Sequence, residues 1–205
     1  MHYNKLATEE TIKKTITALS EHGFEPLVVE TREEALRKIK SFIPKGASVM
    51  NGSSRTLDEI GFIDYLKSGK HGWNNLHAAI VAEKDPARQA QLRKEAVLAD
   101  YYVGSVHGVS ETGELVIASA SGSQLPYLAV TAQNVILIVS TQKITPTVDD
   151  AFDRIEKYVL PLEDERMKEA YGFGTVHAKT IILHQESPMM GRKVHVVFVK
   201  EKLGF

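Results

Sequence analysis

"NVILIVST", residues 134–141, decides the fold class. From Val135 to Val139 every side chain is apolar, so a strand here would be greasy on both faces. Such a run is expected where helices cover a mostly parallel sheet from both sides. Working outward, "DYYVGS" (100–105), "LVIAS" (115–119), "FEPLVVE" (24–30) and Ala47–Met50 read as further strands, as do "KTIILH" (179–184) and "KVHVVFV" (193–199). Between them lie helix signals. Ile12, Ile16 and Leu19 recur at helical spacing over residues 8–22, with Gly23 as a stop. Thr31 with Glu34, and Thr56 with Glu59, read as capping boxes, and Gly61 weakens or bends the second helix. Asp85-Pro86 opens a helix to about Ala99. Thr147 caps another through about Val159, which the pattern ends near Pro161, and "EDERMKEAYG" (163–172) reads as one more short helix. Hairpin-like stretches at 101–119 and 179–199 add antiparallel pairing. The expectation is an α/β fold: a mostly parallel sheet with helices on both faces and some antiparallel strands. Residues 1–205 show no repeat and no linker, which predicts a single domain.

Composition narrows the function classes. The 205 residues carry a net charge of −1, with 43% hydrophobic and 25% charged side chains, an ordinary globular balance. That charge argues against broad binding of nucleic acid or of an anionic membrane. There is no cysteine, which excludes a disulfide framework, a thiol nucleophile and a cysteine-ligated metal within this chain. The polar start "MHYNKLATEE" and the absence of a long apolar run predict a cytoplasmic protein.

Two loops carry the candidate chemistry. Asn51-Gly52-Ser53-Ser54-Arg55-Thr56 follows a short strand and enters a helix. Glycine admits close backbone approach, hydroxyls and helix-start N–H groups donate, and Arg55 offers a charged fork, all suited to phosphate or carboxylate. A tight turn plus a cap explains the same residues. The Walker spacing is missing. In residues 104–126, Glu111-Thr112-Gly113-Glu114 reads as a polar turn before a strand, and Ser121-Gly122-Ser123-Gln124 lies just after it, leading toward a helix. Two donor-rich loops at the carboxyl ends of strands would share one anionic guest.

Among eight histidines, His107 lies beside the second loop and suits proton transfer. Glu111 is the matching candidate base or nucleophile, its plain alternative being a solvated turn acid. No H-E-x-x-H or H-x-H spacing supports a metal site, and no G-x-S-x-G elbow is present. The connection 69–85 reads as irregular, a lid over the site or, through Trp73, a packing anchor.

"MNGSSRTLDEIGFIDYLKSG", "RKEAVLADYYVGSVHGVSETGELVIASASGSQLPYLAVTAQNVILIVSTQKITPTVDDAFDRIEKYVLPLEDERM" and the closing "VHVVFVKEKLGF" together resemble the lactate-utilisation (LUD) domain family, from about residue 8 onward. The resemblance implies a fold similar to the sugar-phosphate isomerase and CoA-transferase superfamily (NagB/RpiA/CoA-transferase-like), with Asn51–Thr56, Glu111–Glu114 and Ser121–Gln124 lining the pocket. It also implies iron–sulfur partner subunits, since some relatives belong to a system oxidising lactate to pyruvate. The cysteine-rich tail of some short relatives is absent here, "KEAYGFGTVHAKTIILHQESPMM" standing in its place, which argues against electron transfer within this chain. The expected ligand is a carboxylate, phosphate or CoA-type anion. The expected roles are a component of a hydroxy-acid-oxidising system, a stand-alone isomerase or CoA transferase, or a non-catalytic sensor or assembly subunit. No cofactor is indicated, and an oligomer is compatible with the composition.

Overall fold

Both faces of the 134–140 strand are buried, as its unbroken apolar run requires. Val135, Leu137 and Val139 join one core cluster, Ile136 and Ile138 another on the opposite side. The protein is described by a computed structural model covering residues 3–205. Along it run α1 (Glu9–Glu21), β1 (Glu25–Val29), α2 (Arg32–Phe42), β2 (Ser48–Asn51), α3 (Arg55–Glu59), α4 (Phe62–Lys67), β3 (Asn74–Asn75), α5 (Leu76–Ala82) and α6 (Pro86–Glu95). Then follow β4 (Tyr101–Gly104), β5 (Gly108–Ser110), β6 (Leu115–Ser119), β7 (Asn134–Ser140), β8 (Ile144–Thr145), α7 (Val148–Arg154), α8 (Leu160–Tyr171), β9 (Lys179–Leu183) and β10 (Lys193–Val199).

Six strands form one wholly parallel sheet in the order β1-β10-β7-β4-β2-β3. The last strand, β10, sits between β1 and β7, with Phe198 opposite Val28 on one side and Val139 on the other. Four strands form a second, mixed sheet, β8-β5-β6-β9, in which β6 runs antiparallel to both neighbours. The α/β class with some antiparallel strands is therefore present, but its antiparallel part is a separate small sheet. The hairpin-like stretches divide between the two sheets: β4 and β10 join the large one, each parallel to β7, and β5, β6 and β9 join the small one. α2, α3 and α4 cover one face of the large sheet through Ile39, Leu57 and Phe62. α1 and the small sheet cover the other through Leu19, Leu115 and Ile117.

Four local expectations change. Ser54, not Thr56, caps α3, because its extended backbone lets its Oγ accept from Leu57 N at 3.4 Å. Thr56 lies inside the helix and is buried. The 69–85 connection is not irregular: it folds as β3 and α5, and Trp73 packs among Phe62 and Tyr65 while donating Nε1–H to the Ile43 carbonyl at 3.1 Å. The helix from Thr147 does not end near Pro161. A π-helical turn (Ile155–Val159) carries α7 into α8, so the helix runs on past Pro161, the second residue of α8, with the wider turn just before it taking up the change in backbone register. The fourth is the helix beginning at Arg55, which breaks at Gly61 in left-handed backbone rather than merely bending. Among the described residues no helix is long and apolar enough to cross a membrane.

The β5–β6 turn docks onto α1. Gly113 has φ of 98°, and a Cβ there would meet the Ala18 carbonyl carbon and His22 Nδ1 at 2.9 Å. Gly113→Ala combines left-handed strain with a clash against helix backbone, so we expect a loss of about 2–3 kcal/mol, read as a lower urea midpoint.

Candidate functional site

Because the large sheet is parallel, the carboxyl ends of β2, β4, β7 and β10 share one edge. A cavity of about 800 Å³ opens there. Gly52, Ser53, Ser54, Arg55 and Thr56 reach it directly after β2. Ser121, Ser123 and Gln124 reach it from the small sheet, delivered by β6. His107 lines it from the β4–β5 crossover. The two loops far apart in sequence thus border one space.

Their hydroxyls are only partly free. Ser54 Oγ serves the α3 cap. Ser119 Oγ donates to Gln124 Oε1 at 2.9 Å and accepts from Gly122 N at 2.8 Å, while Ser121 and Ser123 bond to each other at 3.1 Å. These bonds hold the second loop in shape. Arg55 pairs with Glu59 at 3.4 Å. Gly52 is needed beside Tyr102, since a Cβ would approach the phenol oxygen to 2.7 Å. Tyr102 in turn stacks on Tyr127, their ring centroids 4.9 Å apart.

Other expected site residues lie elsewhere. Glu111, Thr112, Gly113 and Glu114 form the turn at the far end of the β5–β6 hairpin, and none lines the cavity. Glu111 forms an ion pair with Lys14 at 2.9 Å, and Glu114 accepts from the hydroxyls of Ser110 and Thr112. The reason is the alternation of a hairpin: His107 and Ala118 meet at one end, so the connecting turn must occupy the other. Asn51 and Gly122 support the loops from behind, Asn51 as the buried last residue of β2 and Gly122 as a left-handed turn.

Lys143 was not anticipated. It follows β7, is only 3% exposed, and reaches the cavity with Nζ 3.0 Å from Thr56 Oγ1, 3.1 Å from Ser105 Oγ and 3.1 Å from the Val106 carbonyl. Burial, reinforced by the Arg154 guanidinium, pushes its amine down to about 7. The signal available in the sequence was a lysine directly after the most apolar strand, within "STQKI" (140–144). Arg93 of α6 also lines the cavity and, among the described residues, makes no ion pair. Arg166 of α8 lines it while bound to Glu163 by two bonds of 2.6 and 2.7 Å.

His107 accepts from Ala118 N at Nδ1, 3.1 Å away, so the neutral ring carries its proton on Nε2. The residue keeps some exposure toward the cavity, but its imidazole is enclosed. Burial first, then the charges of Lys143 and Arg154, pushes it down to about 3. Arg154 is fully buried; its Nη1 donates to the His107 carbonyl at 2.6 Å, and its Nε and Nη2 have no partner among the described residues. The site is therefore cationic at its base and rich in donors at its walls. Such a setting favours an anion over a neutral guest.

Comparison with known proteins accords with this architecture. The model of the LUD domain matches residues 12–199. Among solved structures, the chain resembles the crystal structure of a DUF162 family protein from Deinococcus radiodurans, with a TM-score of 0.57 at 14% identity, covering 95% of this chain and 99% of that one. That likeness concerns the fold. No curated protein matches the chain significantly.

Proposed function

The chain belongs to the LUD domain family, and from that premise we propose that its cavity binds a small anionic molecule, a carboxylate or phosphate compound. One observation carries the reading: the donor-rich turns at 52–56 and 119–124 border the same cavity as Lys143 and Arg93, the latter with no ion pair among the described residues. Charge-assisted bonds from such groups are the strong ones. Within a hydroxy-acid-oxidising assembly the chain would serve as the ligand-binding subunit, because it has no cysteine to hold a cluster and iron–sulfur partners would carry the electrons. A role for Glu111 as base or acyl acceptor gains no support, since its carboxylate lies off the cavity and beside Lys14.

Thermal-shift and calorimetric titration with inorganic phosphate, lactate, pyruvate and acetyl-CoA tests the reading. At least one should raise the unfolding temperature, and Ser53→Ala combined with Arg93→Ala should weaken that ligand by about tenfold or more. Absence of any shift, or equal affinity in the double variant, would overturn it.

A further inference from the structure

We propose that Lys143 is the cavity's nucleophile and forms an imine with a small carbonyl compound bearing an anionic group, of which a 2-oxo acid is the simplest. The proposal rests on the reading of the cavity as an anion site and adds a reaction to it. The geometry comes first. Nζ lies among Thr56, Ser105, Val106 and Gly204, every one of which lines the cavity. Its three partners are two hydroxyls and a carbonyl, with no carboxylate among them. A second buried cation, Arg154, stands behind it. Burying an ammonium with no carboxylate in hydrogen-bond contact, beside another cation and with Glu59 acting only as a weaker, opposing charge, favours the free amine, which is the nucleophilic form.

Hydrogen-bond accounting fits that form. Ser105 gives its own proton to the Ile138 carbonyl at 2.7 Å, so its oxygen accepts from Nζ. The Val106 carbonyl accepts the second N–H. The ammonium would donate its third N–H to Thr56 Oγ1; in the free amine that hydroxyl, which has no backbone acceptor among the described residues, turns to donate to the lone pair until a carbonyl compound takes its place. A lowered pKa near neutrality agrees with this arrangement.

The step balances without any further reagent. The nitrogen lone pair attacks the carbonyl carbon, the C=O π pair moves to oxygen, and one proton passes from nitrogen to that oxygen through the Thr56 or Ser105 hydroxyl. The resulting carbinolamine loses its hydroxyl with the second nitrogen proton as water, leaving C=N. His107, neutral and protonated at Nε2, lines the same space and is a further group able to exchange a proton there. The anionic group of the compound would meet Arg93 and the 52–56 turn.

The test uses the unaltered chain. Pyruvate, and separately glyoxylate, is incubated with it at neutral pH and sodium cyanoborohydride, and the modified lysine is located by peptide mass mapping. Thermal shift with the same compounds is measured without reductant. The expected result is one reduced adduct on Lys143, in at least about tenfold excess over the adduct on Lys13 or Lys14. Adduct formation should rise with pH around 7 rather than around 10. A thermal shift with Lys143 unmodified overturns the imine and leaves the anion site standing. Labelling spread evenly over surface lysines also overturns it, as does the absence of both shift and label, in which case the anion site stands or falls on the phosphate, lactate and acetyl-CoA titrations.

Discussion

Between pH 6.5 and 4 the native chain is expected to lose roughly 2–3 kcal/mol of stability through one side chain, His107. The unfolded ring titrates near its ordinary 6.5, whereas the folded ring is held down to about 3 by burial and by Lys143, Arg154 and His177. Below 6.5 the unfolded chain therefore takes up a proton that the folded chain refuses. The contribution is complete above pH 6.5 and declines as pH falls toward the folded value. Urea unfolding of the natural chain and of His107→Gln, at pH 6.5 and pH 4, isolates the effect. Glutamine accepts the Ala118 N–H through its carbonyl but cannot titrate, and the surface carboxylates contribute alike to both chains. Parallel pH profiles would show that the imidazole is not held neutral.

Phe198→Ala should cost about 3–5 kcal/mol, the range for emptying a fully buried aromatic site. Phe198 is 0% exposed and belongs to the cluster that joins α1, the large sheet and the small sheet. Its strand is hydrogen-bonded on both edges, to β1 and β7, so the backbone is poorly placed to collapse into the space. A lowered urea midpoint with an unchanged denaturant slope is the expected signature. An effect below about 1 kcal/mol would mean that the neighbours close the gap.

The centre of the large sheet was legible because β7 and β10 are apolar on both faces. "NVILIVST" differs from β7 only in its last residue, and in the small sheet the bounds of "LVIAS" coincide with β6. α1 and α2 were equally plain, since Thr8 and Thr31 cap helices whose buried positions recur at helical spacing. What local patterns could not state was partnership. Residues 193–199 look like the return limb of a hairpin, yet they pair with strands distant in sequence. The Thr56–Glu59 box misled because the side chains meet its pattern while serving other partners: Thr56 faces Lys143, and Glu59 accepts from Gly204 N at 2.7 Å. The turns that border the cavity were readable from glycine and serine after strands. Lys143 was not, because a single lysine in sequence reads as surface, and only its enclosure by Thr56 of α3, Ser105 and Val106 of the crossover loop, and Gly204 removes it from water. Glu111 erred in the opposite sense, looking poised beside a strand when it caps the remote end of a hairpin.

The place of β10 bears on how the molecule is made. During synthesis β1 leaves the ribosome well before β7, but neither can complete its ladder until β10 emerges to fill the slot between them. Until then two apolar strand edges wait unpaired in the nascent chain. The sheet that carries the cavity is closed only once β10 has emerged, so the finished site forms after every element between β7 and β10 has been made.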